Sequence, residues 1–283
     1  MEHIAKRAGR LSSFLQEEME MSTGLINKLK WQNRLLVNGT PCFTNYPVNP
    51  GDVITVLLPE AEPEYPAETG ELSVLYEDDD ILAVDKPAGI LIHPSRACNT
   101  GTLANFVLGY YQKTGQSCAF HPVTRLDRDT FGVVLLAKNP HIHARFQKLP
   151  LEKTYLARVY GTMPQAEGVI DAPIARRPLP SLLRYVDPAG KESITRYRVT
   201  ESDGKTSLLE LTPVTGRTHQ LRVHCAYMGC PILGDPQYGS EASQTFSNAL
   251  GLKSQQLCAA CVTFQHPVTK ETVTIHSQQR RSL

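Results

Sequence analysis

Features that mark several common protein classes are missing from this 283-residue sequence. No apolar run approaches the roughly eighteen residues that a transmembrane helix needs. The N-terminal segment MEHIAKRAGR lacks the apolar stretch of a secretory signal peptide, so we expect a cytoplasmic protein that does not enter membranes. Glycine-rich phosphate-binding loops and recognisable metal-ligand spacings are also missing, which argues against a nucleotide-dependent or metal-dependent enzyme.

The cysteines do not form a disulfide framework. They are seven in number and scattered along the chain, which in a cytoplasmic protein favours reduced thiols. Cys258 and Cys261 make a Cys-x-x-Cys pair, but they fall in an apparent strand that places them on opposite faces. We therefore predict buried thiols at both positions, and also at Cys225 and Cys230, rather than a redox or metal site.

The net charge of +1 conceals an uneven distribution of charged residues. Residues 61–80 contain eight Asp or Glu and no Lys or Arg, whereas residues 81–283 contain 23 Lys or Arg against 14 Asp or Glu. A basic surface of this kind is typical of proteins that bind phosphates, although an ordinary solvated surface is the simpler alternative.

Two short helices are predicted near the N-terminus. Residues 11–20 and 23–34 each place apolar side chains at helical spacing, and Ser22 or Thr23 can cap the second helix. Basic side chains face outward from this second segment, namely those of Lys28, Lys30 and Arg34.

Small β-elements follow these helices. A strand at 35–37 leads into Asn38-Gly39, the strongest two-residue signal for a hairpin, and a second turn at 49–52 precedes a strand at 53–58. The arrangement resembles the alpha-L RNA-binding domain, of the ribosomal-protein-S-four type, over roughly residues 11–58. The alternative is a small helical cap on a larger domain.

The chain divides at an acidic segment. Residues 61–71 contain prolines and a glycine without apolar periodicity, which predicts a linker between a small domain at 1–60 and a large one at 72–283. In the large domain, strands are predicted at 72–76, 81–85, 133–137, 154–160, 206–212 and 256–264, and helices at 103–111, 141–148 and 219–228. Because strands outnumber helices and do not alternate strictly with them, we expect an α+β fold around a mixed, largely antiparallel sheet.

Asp127 is the leading candidate for a reactive group. It lies in the segment RLDRDT, and a carboxylate can act as a nucleophile if an arginine partner keeps it ionised. Arg125 and Arg128 are near in sequence, and Arg222 could approach in space. The alternative is a structural aspartate in a turn with surface arginines.

A second cationic segment, TGRTHQLRVH, occupies residues 215–224 and contains no acid. On a helix beginning near Thr218, His219 and Arg222 would share a face, and Arg217 would lie at the electropositive N-terminal end, which suits a phosphate. Two histidines without a third ligand are weak evidence for a metal, so none is expected. Tyr155 alternates in a strand and is either a core aromatic or a platform on which an unpaired base stacks.

These segments resemble the signature of the RluA family of RNA pseudouridine synthases. The resemblance rests on five blocks in the family's order: VDKPAGILIHP at 84–94, HPVTRLDRDTFGVVLLAKN at 121–139, EKTYLARVYG at 152–161, TGRTHQLRVH with GCPILGD at 215–235, and FQHPVTKE at 264–271. It implies the family's fold and an isomerase that converts uridine in ribosomal or transfer RNA to pseudouridine without a cofactor. We expect RNA as the partner and a monomer.

The resemblance also implies roles for individual residues. Asp127 matches the family's catalytic aspartate, Tyr155 the tyrosine that stacks on the target uracil, and Arg222 the basic partner of the carboxylate. Arg125 matches an arginine that fills the space left by the flipped nucleotide, since a uridine must leave its stack to react. Further RNA contacts are expected from Arg128, Lys153, Arg217 and His219, and in the small domain from Lys28, Lys30 and Arg34.

The sequence departs from the family pattern at two positions. The family's usual histidine before the arginine is Thr124 here, and the usual serine after Asp-x-Thr is Phe131. Both changes bear on loop packing and substrate choice and leave the catalytic set in place. The alternative functions are a non-catalytic RNA-binding protein or RNA chaperone on the same fold, and another Asp-dependent enzyme such as a hydrolase, which no oxyanion-hole or metal motif supports.

Overall fold

The computed structural model describes residues 1–58, 65–95 and 98–282, and its contacts divide the chain into two units, Met1–Glu62 and Pro63–Leu283. Residues 61–64, where the predicted linker begins, lie outside the described residues. Within the described ranges, no helix is both long enough and apolar enough to cross a membrane.

The first unit combines two helical segments with short antiparallel strands. Strands β1, β6, β3 and β4 form one sheet in that order, and β2 pairs with β5. Its elements are β1 Glu2–Ile4, β2 Gly9–Arg10, α1 Leu11–Ser13, a π-helical segment Phe14–Glu18, α2 Thr23–Trp31, β3 Leu35–Val37, β4 Thr40–Pro41, β5 Pro47–Val48 and β6 Val53–Val56.

The helical segments and strands predicted within residues 11–58 are present, but three of them are shorter than predicted: the helical segments cover 11–18 and 23–31, and the last strand ends at Val56. The Ser22 hydroxyl accepts the N–H of Leu25 and caps α2, as the sequence indicated. Asn38 and Gly39 join β3 to β4 with φ of 49° and 78°, the left-handed pair that a two-residue hairpin requires. The apolar faces of both helical segments meet the sheet in one buried core. The alpha-L identity of this unit stays a prediction.

The second unit is built around one large sheet. Its elements are β7 Val74–Glu77, β8 Ile81–Lys86, α3 Leu103–Lys113, β9 His121–Pro122, β10 Phe131–Ala137, α4 Pro140–Phe146, β11 Leu151–Tyr160, β12 Glu167–Asp171, β13 Ile174–Arg176, β14 Arg184–Val186, β15 Ile194–Ser202, β16 Thr206–Pro213, α5 Gln220–Tyr227, α6 Glu241–Ala249, β17 Leu257–Gln265, β18 Thr272–His276 and a final 3-10 turn, Gln279–Ser282.

Ten strands form this sheet, in the order β12-β15-β16-β11-β17-β10-β8-β7, with β18 paired to β17 and β9 to β10. The β10–β17 pairing is parallel and the other pairings are antiparallel. The predicted α+β fold with a mixed, largely antiparallel sheet is therefore confirmed. Strand β11 lies between β16 and β17, and its pairing with β17 shifts register between Thr154 and Tyr155, which places a β-bulge beside the predicted stacking residue.

Residues 65–71, the described part of the predicted linker, are hydrogen-bonded to the second unit. The backbone N–H of Glu68 donates to the carbonyl of Asn105 in α3, and the Asn105 amide donates to the carbonyl of Pro66. The Glu68 carboxylate in turn accepts the N–H of Gly101 before the helix. Hydrogen bonds from backbone and side-chain groups therefore fix this part of the segment to the second unit.

This attachment brings the backbone carbonyl of Glu68 close against Gly109 of α3. A Cβ at position 109 would collide with the carbonyl group of Glu68. We expect Gly109→Ala to lower the free energy of unfolding by about 1–3 kcal/mol, the usual range for overpacking, and to open residues 65–71 to limited proteolysis. Gly216→Ala, where an added Cβ meets nothing within 4 Å, is the matched control. Equal stability of the two variants in chemical denaturation would refute this reading.

Candidate active site

The structure brings the two cationic segments of the sequence together at Asp127. This residue lies in the loop between β9 and β10, and Arg222 projects from α5. Arg222 Nη1 donates to Asp127 Oδ2 over 3.1 Å. The Asp127 side chain keeps 30% of its surface exposed, whereas that of Arg222 keeps 6%. The ion pair is therefore buried on the arginine side and open to solvent on the carboxylate side.

Arg222 also binds a second carboxylate, which sequence reasoning missed. Its Nε and Nη2 donate to the two oxygens of Asp235 over 2.7 and 2.9 Å, and Nη2 also donates to Gln237 Oε1. The Asp235 side chain has no exposed surface. Burial acts to lower the pKa of Arg222, but the hydrogen bonds and charges of Asp235 and Asp127 raise it more, so the guanidinium stays charged. Asp235 ends the block GCPILGD, which was the available signal.

His219 lies beside the same carboxylate. Its Nε2 is 4.0 Å from Asp127 Oδ2, and its Nδ1 shares a 2.8 Å hydrogen bond with the Tyr238 hydroxyl. The Tyr238 ring centre lies 4.9 Å from the Arg222 guanidinium carbon, within cation–π range. Burial lowers the pKa of His219, with the Asp127 charge opposing, so the imidazole is mainly neutral at pH 7. Tyr238 was not singled out from the sequence.

The predicted start of this helix needs a correction. Helix α5 begins at Gln220 rather than near Thr218, and His219 is its N-cap residue in a left-handed conformation with φ of 58°. The Gln220 side chain causes this: its carbonyl accepts the Thr215 hydroxyl and the Arg217 N–H, and its amide donates to strand β15. His219 therefore reaches Asp127 from a turn, not from the helix face shared with Arg222.

Tyr155 lies on β11 and is partly buried. Burial, followed by the negative charge of Asp127, raises the pKa of Tyr155 to about 12. The phenol is therefore protonated at neutral pH. The stacking role of Tyr155 stays a prediction.

A fully buried lysine supports the Asp127 loop. Lys86 Nζ donates to the carbonyls of Pro87, Ile90 and Arg128 over 2.9, 3.0 and 2.9 Å, which uses all three hydrogens of the ammonium. Burial lowers the pKa of Lys86 to about 8, and the charges of Asp129 and Asp127 oppose that shift. Its position in VDKPAG was visible in the sequence, but nothing there connected it to a carbonyl forty-two residues away.

The remaining predicted cations have different surroundings. Arg125 is exposed, as an RNA contact requires. Arg128 pairs with Asp129 and not with Asp127, which corrects the expectation that both neighbouring arginines surround the reactive carboxylate. Arg217 donates from Nε to the Glu192 carbonyl rather than lying at a helix N-terminus.

Lys153 is partly buried on β11, and burial lowers its pKa. In the first unit, Lys28 is exposed on α2 and Lys30 is partly exposed. Arg34 donates to the Leu58 carbonyl and is half-buried.

Two histidine environments bear on metal binding. His224 is buried and shares its ring nitrogens with the Thr195 hydroxyl and the Ala172 carbonyl, so it anchors α5 to the sheet. His266 lies near Asp78 and Asp80, and each of these three side chains offers an atom that can act as a metal ligand. However, His266 Nδ1 accepts two backbone N–H groups, and its Nε2 contacts Asp78. These hydrogen bonds engage both ring nitrogens of His266 and one carboxylate oxygen of Asp78.

Breaking the buried pair tests the importance of Asp235. Asp235→Ala leaves the buried guanidinium of Arg222 without its two-bond partner, so we expect a loss of about 3 kcal/mol or more in the free energy of unfolding. Glu210→Ala removes the partner of Arg198 in a mostly exposed ion pair and should cost less than about 1 kcal/mol. Chemical denaturation of both variants makes the comparison, and a similar small loss in each would show that Arg222 is held by other contacts.

Comparisons with known proteins identify relatives of this chain. A family model described as RNA pseudouridylate synthase matches residues 80–227. The uncharacterized RNA pseudouridine synthase YjbO of Bacillus subtilis is 34% identical over 267 residues, covering 92% of each chain. Ribosomal large subunit pseudouridine synthase D of Vibrio cholerae is 37% identical over 239 residues, covering 80% of this chain and 74% of that protein.

A further relative and a solved structure extend the likeness. Ribosomal large subunit pseudouridine synthase C of Vibrio cholerae is 31% identical over 284 residues, covering 95% of this chain and 89% of that protein. The structure of human RNA pseudouridylate synthase domain containing 1 matches with a TM-score of 0.60 at 25% identity, covering 75% of this chain and 84% of that chain. With a family match over more than half of its length and relatives above 30% identity across most of it, this protein belongs to the RluA-type RNA pseudouridine synthases and is an isomerase that acts on RNA.

Proposed function

We propose that this protein isomerises specific uridines of ribosomal RNA to pseudouridine by flipping the target base towards Asp127. The observation that supports this most directly is the asymmetric ion pair, in which buried Arg222 fixes a carboxylate that remains open to solvent. A reactive group must be held in place and still be reachable by a nucleotide. Asp127 meets both conditions, whereas Asp235 is held but not reachable.

Three groups have roles in the proposed reaction. Asp127 reacts with the flipped nucleotide, by attack on the uracil or the ribose or by assisting glycal formation. Tyr155 stacks on the uracil, and its protonated phenol at neutral pH favours stacking over proton removal. Arg125 fills the space that the uridine leaves, and its exposure suits insertion into RNA. Extraction of a base costs a few kcal/mol, which stacking and phosphate contacts offset.

Ribosomal RNA is the first substrate to test because two relatives are named for the ribosomal large subunit. Transfer RNA is the second substrate to test, because the resemblance to the RluA family also implies it. The proposed reaction takes place in the cytoplasm, where both RNAs are available, and one copy of the chain supplies all the residues named for it.

Loss of the carboxylate charge tests the central role. We expect wild type to release tritium from RNA labelled at carbon 5 of uridine, because that carbon loses its hydrogen when it bonds to the ribose. Asp127→Asn should abolish release while RNA affinity remains within a few-fold of wild type. Asp129→Asn changes the next acid in the same segment, which pairs with Arg128, and should retain release. Tritium release by Asp127→Asn at the wild-type rate would exclude Asp127 as the reactive group.

Two substitutions of Tyr155 distinguish the contribution of its aromatic ring from that of its hydroxyl. Tyr155→Phe keeps the aromatic face and should leave KM for RNA close to wild type, so any loss should be confined to kcat. Tyr155→Ala removes the face and should weaken transition-state binding by about 1–3 kcal/mol in kcat/KM. Equal losses in the two variants would assign the function to the hydroxyl instead.

A further inference from the structure

An exposed aromatic pair lies at the end of α2 in the first unit. Trp31, the single tryptophan of the chain, has 74% of its surface exposed, and Phe43 has 56% exposed. Their ring centres are 6.0 Å apart at an interplanar angle of 74°, an edge-to-face contact. Exposing two large aromatic rings that contact each other loses the stabilisation that burial would give, so the arrangement needs a reason beyond folding.

The core of the unit does not supply that reason. Leu29 and Leu35, on either side of Trp31 in sequence, are fully buried and hold the end of the helix against the sheet. Trp31 and Phe43 are outside this core. The core thus holds the end of the helix in place, while the exposed Trp31 indole can contact another molecule.

The charges around the pair favour an anionic partner. Lys30 Nζ lies 5.2 Å from the centre of the Trp31 ring, and Lys28 is exposed on the same helix. Throughout residues 1–58, no carboxylate forms an ion pair with either lysine. By contrast, the acidic residues Glu17 and Glu18 of this unit are already paired with Arg7, and Glu18 also with His3.

We propose that Trp31 and Phe43, together with Lys30, form a platform on which an unpaired base of the RNA substrate stacks. A nucleobase presents a flat π-face to the indole, and its phosphate meets the lysine ammonium. The proposal rests on the proposed function, because it assigns a second contact to the same RNA. It adds a preference for single-stranded RNA at a site distinct from the one that contains Asp127.

RNA fits this surface better than a protein partner does. An apolar protein surface would bury the two rings but would leave Lys28 and Lys30 at the contact without carboxylates to pair with. Single-stranded RNA satisfies the rings and the lysines together, since bases and phosphates alternate along its chain.

The single tryptophan allows a direct test on the full-length protein. A twelve-residue oligoadenylate and a blunt RNA duplex of equal length are titrated at low salt, with excitation selective for tryptophan. Stacking should quench the Trp31 emission with the single strand and leave it nearly unchanged with the duplex. Fluorescence anisotropy of the labelled RNAs reports binding independently of the quenching.

Substitutions then measure the contribution of the platform. Trp31→Ala should weaken oligoadenylate binding by about fivefold or more, whereas Trp31→Phe, which keeps an aromatic face, should lose less. Leu250→Ala removes another exposed apolar side chain, from the second unit, and is the matched control without an expected effect. Because Trp31 lies outside the core, Trp31→Ala should unfold at the wild-type denaturant concentration.

Two results would overturn the proposal. Oligoadenylate binding seen by anisotropy without a change in Trp31 emission would show that RNA does not contact the platform, which would leave a protein partner as its occupant. An unchanged affinity of Trp31→Ala for oligoadenylate would show that contact with Trp31 contributes nothing to RNA binding. Tritium release from ribosomal RNA by wild type, measured on the same preparation, distinguishes failure of this proposal from failure of the proposed isomerase function.

Discussion

The pairing of Arg222 with two carboxylates determines how the site is organised. A buried guanidinium is costly unless its charge and its N–H groups are matched, and Asp235 supplies two of the required hydrogen bonds from a position without solvent access. The remaining donor, Nη1, points to Asp127. Because Asp235 already neutralises the arginine, Asp127 is positioned without being buried. One carboxylate is buried with the arginine, and the other keeps part of its surface in solvent.

This arrangement requires both the Asp127 loop and the start of α5 to be held in place by neighbouring residues. Lys86 holds the Asp127 loop through the Arg128 carbonyl, and the same carbonyl accepts the N–H of Gly89. Gln220 and His224 hold the start of α5 against β15, which sets the direction of Arg222. Both anchors act on backbone groups or buried hydroxyls. The charged pair therefore meets at 3.1 Å because its supporting elements are fixed by contacts away from the cleft.

The elements correctly predicted from the sequence are those with a run or a regular spacing of apolar residues. Strands β8, β10, β11, β16 and β17 and helix α3 lie where apolar runs, alternation or helical spacing predicted them. Helix α6 was missed because its buried residues are Ser243 and Ser247, whose hydroxyls bond within the helix and to Gly234, so no apolar stripe marks it. Strand β12 was missed because its edge position leaves most of its side chains in solvent.

The same distinction applies to the site. Asp127, Tyr155 and Arg222 were singled out because they match a known pattern. Tyr238 lies outside the matched blocks, and Asp235 closes the block GCPILGD without any local sign that it pairs with Arg222. Asp235 is thirteen residues from Arg222, and only the turn after α5 brings them together. The attachment of residues 65–71 was missed for a related reason, since backbone hydrogen bonds leave no trace in composition.

The two departures from the family pattern lie at the two ends of the Asp127 loop, and both side chains are packed against the sheet. Thr124 is buried, and its hydroxyl accepts the N–H of Leu135 in β10. Phe131 is buried against Cys258 and Ala260. Both side chains fix the loop to the sheet, and in the described part of the chain no hydrogen bond joins Thr124 to the Asp127 carboxylate. These contacts join both ends of the loop to the sheet, away from the hydrogen bond between Arg222 and Asp127.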